Sequence, residues 1–164
     1  MQLLCVLSLF VALVPGPQAA APKAPANPAA AKAPAAKGVR TIELTAGDDM
    51  KYNLTKIEAK PGETLHVVLK SIGTIPKMAM AHNFVLLKLG TDAVEFNKAS
   101  MTAAATDYVP ETLKTQVVGS TKLAGPGETV EVTFKVPAKP GSYPYMCTFP
   151  GHYAAGMKGD LVVK

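Results

Sequence analysis

Gly125-Pro126-Gly127-Glu128-Thr129-Val130-Glu131-Val132-Thr133-Phe134-Lys135-Val136 opens on a turn and then alternates apolar and polar side chains from Val130 to Val136. A period of two sends successive side chains to opposite faces of an extended backbone, so Val130, Val132, Phe134 and Val136 predict the buried face of a strand. The turn before it carries Pro at its second position, where the ring presets φ. Outward from there the pattern recurs. Lys60-Pro61-Gly62-Glu63 is a second such turn and leads into the β-forming run Thr64–Ser71. Val39–Thr45 alternates and ends at Gly47-Asp48-Asp49, and Met50–Leu54, Lys56–Ala59, Asn83–Leu89, Ser142–Cys147 and Gly159–Val163 read as further strands. Thr91–Thr106, with Ala93, Val94, Phe96, Met101 and several alanines, reads as helical. Seven or eight short strands between Pro/Gly turns predict an all-β antiparallel β-sandwich with one short helical insertion over residues 39–164.

The sequence before residue 39 has a different character. Leu3–Val14 is an apolar run followed by Pro15-Gly16-Pro17 and the small residues Ala19, Ala20 and Ala21, which predicts a signal peptide over residues 1–21. The run is short for a bilayer-spanning helix, which needs about 20 apolar residues. No Lys or Arg precedes it, so two outcomes stay open: cleavage on export to the periplasm or another extracytoplasmic compartment, and an uncleaved anchor that tethers the domain to a membrane. Residues 22–38 are Ala, Pro and Lys without a hydrophobic period and predict a semi-extended linker. The chain has 17 basic and 12 acidic residues, and three of the basic ones lie in this linker. The domain therefore has fourteen basic residues against twelve acidic. With no basic stripe interleaved with aromatics, nucleic acid is not an expected partner.

Of two cysteines, Cys5 falls inside the signal segment, which leaves Cys147 alone in the exported protein. Exported proteins usually use cysteines in disulfide pairs, so a single thiol is inert and buried, paired with another chain, or bound to a metal. Its neighbours decide between these readings. Cys147-Thr148-Phe149-Pro150-Gly151-His152-Tyr153-Ala154-Ala155-Gly156-Met157 puts a thiolate, an imidazole and a thioether on one loop, and a second imidazole stands at Met80-Ala81-His82-Asn83. Two histidines, a cysteine and a weak axial methionine form the ligand set of blue-copper centres. Soft sulfur ligands suit Cu(I) and imidazoles also suit Cu(II), so a geometry held between the two preferences changes little when an electron arrives. His82, Cys147, His152 and Met157 are the expected ligands of one type 1 copper.

These loops resemble those of the azurin branch of the cupredoxins, and Asp49-Met50-Lys51-Tyr52-Asn53 is similar to an azurin strand. The resemblance spans about residues 39–164. It implies a Greek-key cupredoxin sandwich and a one-electron carrier that docks briefly with redox partner proteins as a monomer. It also implies hydrogen bonds between Asn83 and Thr148 that join the two ligand loops. Electrons would enter at the solvent-facing edge of His152, amid Phe149, Pro150, Ala154 and Met80. The chain departs from azurins at three points. Four residues separate His152 from Met157 where azurins have three, a spacing shared with auracyanin-like relatives. The azurin N-terminal disulfide has no cysteines here. Ala81 replaces the glycine whose carbonyl approaches copper.

Taken singly, each ligand has a bland reading: Cys147 as a small buried hydrophobe, His152 as a loop residue, His82 as a strand-end histidine, Met157 as core. Their joint occurrence favours copper. His66, mid-strand, reads as structural or surface, and Met50, Met78, Met80, Met101 and Met146 as packing. The chain is not expected to be an enzyme. Copper nitrite reductases and multicopper oxidases need more than its three histidines. A binuclear site needs a second cysteine in the loop, and a Cys–His nucleophile lacks an orienting third group. The alternatives are a periplasmic copper carrier or buffer without an electron-transfer role, and a metal-free adhesion-type sandwich.

Overall fold

The structure is a computed structural model that describes residues 38–164. The signal segment 1–21 and all of the linker but Gly38 lie outside the described residues. Eight strands form among the described residues: β1 (Val39–Ala46), β2 (Lys56–Ala59), β3 (Thr64–Ser71), β4 (Val85–Leu87), β5 (Val117–Ser120), β6 (Thr129–Lys135), β7 (Gly141–Met146) and β8 (Lys158–Val163). They make a three-stranded sheet in the order β1-β3-β6 and a five-stranded sheet in the order β2-β8-β7-β4-β5. This is the expected Greek-key β-sandwich of the cupredoxins, with one short helix.

Alternation buries the predicted faces. Ile42, Leu44 and Ala46 of β1 and Leu65, Val67 and Leu69 of β3 meet Tyr143, Tyr145, Leu161 and Val163 of the other sheet. Each Ile, Leu or Val side chain among these contributes about 1.5–3 kcal/mol when taken out of water. The expectation of antiparallel pairing is corrected for two pairs: β1 runs parallel to β3 and β2 parallel to β8. The chain crosses from the three-stranded sheet to the five-stranded sheet between β1 and β2 and back between β2 and β3, so β3 comes to lie beside β1 without a hairpin.

Three local expectations also change. Met50–Leu54 is not a strand; it is loop held to β1 by an Ala46–Tyr52 bridge and by Asn53, whose amide donates to the Thr45 carbonyl at 3.2 Å and whose Oδ1 accepts from the Thr45 amide at 2.8 Å. The run Asn83–Leu89 narrows to β4, where the register shifts between Leu86 and Leu87. The helical stretch splits into α1 (Ala93–Ser100) and a 3-10 turn at Ala104–Thr106. Asp92 caps α1 by accepting from the amides of Val94 and Glu95. Phe96 of α1 packs with Val85, Leu87, Val109 and Met146 as a second, smaller core.

The registers define two poles. Val39 pairs with Thr64 and Ala59 with Val163 at one end; Ala46 pairs with Ser71 and Met146 with Lys158 at the other. His82 precedes β4, Cys147 follows β7 and Met157 precedes β8, so all three leave the sheets at the second pole. The segment 47–55, which joins β1 to β2, lies there too.

Candidate metal centre

His82, Cys147 and His152 converge: one donor atom from each lies within 4.8 Å of the others, and all three residues are buried. The Cys147 sulfur is 3.4 Å from His152 Nδ1, and the two imidazole centroids are 5.0 Å apart. Met157 is fully buried and belongs to the same core cluster as Cys147. Its main chain is held by both neighbours, since its amide donates to the His152 carbonyl at 3.0 Å and its carbonyl accepts from the Cys147 amide at 3.1 Å. The loop turns at Gly151 (φ +86°) and Gly156 (φ +92°), left-handed positions that suit glycine. His82 is fixed by a reciprocal pair of main-chain bonds with Ala124, at 2.9 and 2.7 Å.

The electrostatics suit a cation. Both ring nitrogens of His82 are buried without a hydrogen-bond partner, an arrangement that costs about 1–3 kcal/mol per group unless something else answers it. Burial pushes the Cys147 thiol up to about 12, against the pull of the Asn83 and Phe149 amides. The thiolate therefore forms there only alongside a positive charge, and metal binding releases its proton. Burial, then the neighbouring His82, pushes His152 down to about 4, and burial lowers His82 while Asp48 and Asp49 oppose it. Both rings are neutral at neutral pH, the form that donates to a metal. A buried thiol and two neutral imidazoles facing one point fit copper.

The ties around these residues are also present. Asn83 Nδ2 donates to Thr148 Oγ1 at 2.8 Å, and the Thr148 amide returns a bond to Asn83 Oδ1 at 2.9 Å. The Ala81 carbonyl lies 3.9 Å from the Cys147 sulfur. His66 is apart from the cluster and faces Glu131 at 3.0 Å across the β3–β6 pair, a structural surface contact. Met146 packs as expected, but Met78 is 94 % exposed and Met101 50 %.

Sequence reasoning missed two supports. Asp107 has a left-handed backbone (φ +53°), its carbonyl accepts a second bond from Asn83 Nδ2 at 2.8 Å, and Tyr108 (φ +59°) sets its ring edge-on to Phe149, which packs on His152. Non-glycine residues rarely adopt this backbone, and nothing local in the sequence announces it.

With this geometry established, comparison with known proteins is specific. Residues 40–164 match the family model for copper binding proteins of the plastocyanin/azurin family. The chain is 36 % identical to auracyanin-A of Chloroflexus aurantiacus, an alignment covering 77 % of this chain and 75 % of that protein. It is 40 % identical to azurin of Achromobacter denitrificans, covering 77 % and 85 %. A crystal structure of dithionite-reduced auracyanin from Roseiflexus castenholzii superposes with a TM-score of 0.68 at 35 % identity, covering 76 % of this chain and 96 % of that one. This is a blue-copper cupredoxin. The chain belongs to the plastocyanin/azurin family of copper-binding proteins, on its azurin and auracyanin side, and its cofactor is copper.

Proposed function

We propose that this protein is an extracytoplasmic one-electron carrier, not an enzyme, in which His82, Cys147, His152 and Met157 hold a single copper ion. The observation that carries the reading is the meeting of one buried thiol with two buried imidazoles, one of which has no protein partner at either nitrogen. Bound copper supplies a one-electron couple, Cu(II)/Cu(I). The chain supplies rigidity. Asn83 and Thr148 lock the two ligand loops together, and such ties keep the metal-binding side chains oriented and adjust the potential. Burial of all four side chains excludes water, so little solvent has to reorganise around the site.

Partners would dock at the pole that carries His152. Phe149 and Met80 are half-buried there, Pro150 and Ala154 are exposed, and an apolar surface of this kind suits brief encounters. The apolar run at residues 3–14 and the single remaining cysteine support export, with the linker 22–38 as a spacer to a membrane or as a remnant of cleavage. The domain would act as a monomer.

The test is to load the purified chain with Cu(II). One copper per chain, an intense visible thiolate-to-copper band that Cys147→Ser loses, and rapid electron self-exchange are expected. A colourless wild type refutes the site, and copper handed to an apo-acceptor without self-exchange favours a carrier of copper over a carrier of electrons.

A further inference from the structure

The turn from His152 to Met157 satisfies most of its own main chain. The amide of Ala155 donates to Gly151, that of Gly156 to Tyr153, that of Met157 to His152 and that of Lys158 to Gly156, at 2.9–3.0 Å. The Ala155 carbonyl has a different partner: it accepts from Lys51 Nζ, 104 residues earlier in the chain. Gly156 leaves room for this ammonium, since a Cβ built there would sit 2.8 Å from Lys51 Nζ. The next residue, Tyr52, is buried, and its hydroxyl donates to the Asn83 carbonyl at 2.5 Å. Two consecutive side chains therefore reach the two ligand loops, one with a charged donor and one with a neutral donor. The chain enters this dipeptide through Met50, held left-handed at φ +54°, a strained conformation for a residue with a Cβ. Segment 47–53 thus acts as a third loop of the metal pole, although it contributes none of the expected ligands.

We propose that Lys51 is a positioning residue of the copper centre: its ammonium clamps the Ala155 carbonyl, holds the His152–Met157 turn closed, and fixes a positive charge beside the site. A hydrogen bond from an ionised donor is stronger than one between neutral groups, so the clamp resists opening of the turn. A nearby positive charge favours the oxidation state of lower charge, Cu(I), and so raises the reduction potential. Tyr52 is the neutral counterpart on the His82–Asn83 side. The electrochemical part rests on the copper ligation proposed above; the mechanical part does not.

Amide hydrogen exchange on the metal-free full chain separates the two. Lys51→Met is expected to speed exchange at Ala155, Gly156 and Met157 several-fold, Lys51→Arg to restore protection, and Tyr52→Phe to loosen Asn83 while leaving those three amides unchanged. In the copper-loaded chain, Lys51→Met is expected to move the Cu(II)/Cu(I) ratio at fixed applied potential about two- to fivefold toward Cu(II), and Lys51→Arg to leave it near wild type. Unchanged exchange in Lys51→Met overturns the clamp, and an unchanged ratio overturns the charge effect. A wild type without the visible band removes the copper ligation instead and leaves the exchange result standing.

Discussion

Asn83 is fully buried and forms three side-chain hydrogen bonds, two from Nδ2 to Thr148 Oγ1 and the Asp107 carbonyl and one at Oδ1 from the Thr148 amide. Asn83→Ala leaves these partners in a dry interior with nothing in return. In the metal-free chain the expected loss is about 2–4 kcal/mol, from a typical cost of about 1 kcal/mol per bond plus the unmet groups. Urea denaturation measures it, and a loss below about 0.5 kcal/mol would show that the ties do not hold the loops. The Asn83–Thr148 half of this network was legible through resemblance to azurins. The Asp107 half was not, because its bond is made by a main-chain carbonyl that any residue possesses. What singles Asp107 out is a left-handed backbone, which side-chain identity does not reveal.

Between elements, the turn after β1 is joined to the loop after β3 by one carboxylate. Asp48 accepts from the amide and hydroxyl of Thr74 at 2.8 and 2.9 Å and from the Ile75 amide at 3.4 Å. The Thr74 amide, followed by the Thr74 hydroxyl and the Ile75 amide, holds this carboxyl below its ordinary value. The folded state therefore binds fewer protons here than the unfolded state does. The stabilisation is present above the unfolded value near pH 4 and is lost as the pH falls through the lower folded value. Asp48→Asn should lower the Tm at pH 6, and the gap from wild type should close as the pH is taken toward 3. A gap constant with pH would place the effect elsewhere. The strands whose faces alternate cleanly, β1, β3 and β6, were legible because each buries one side only. By contrast, β4 is buried on both sides and kinked by a register shift, so its alternation carries no boundary. Strand β5 went unnoticed because Val117-Val118-Gly119-Ser120 is short and half-buried along its length. Its Gly119 lies close against the Phe134 ring, where a Cβ would come within 3.1 Å.

At the scale of the molecule, the metal pole gathers one loop from β7–β8, one from before β4 and one from β1–β2, so a bound ion stabilises the fold as a whole. With copper at 100 times its Kd, the loaded chain should gain about 2.7 kcal/mol over the metal-free chain, and Cys147→Ser should lose that increment. Denaturation midpoints with and without copper measure it, and equal midpoints would mean that the ligands do not act together. The sequence by itself determined the β-sandwich and singled out the candidate donors, because period-two burial and the chemistry of thiolate, imidazole and thioether are properties of residue type and local spacing. Only the tertiary structure decided the parallel pairings, the Asp107 and Tyr108 buttress and the reach of Lys51 to Ala155. Each of these joins segments far apart in the chain, and their approach is set by how two packed sheets close on each other, which no local pattern encodes.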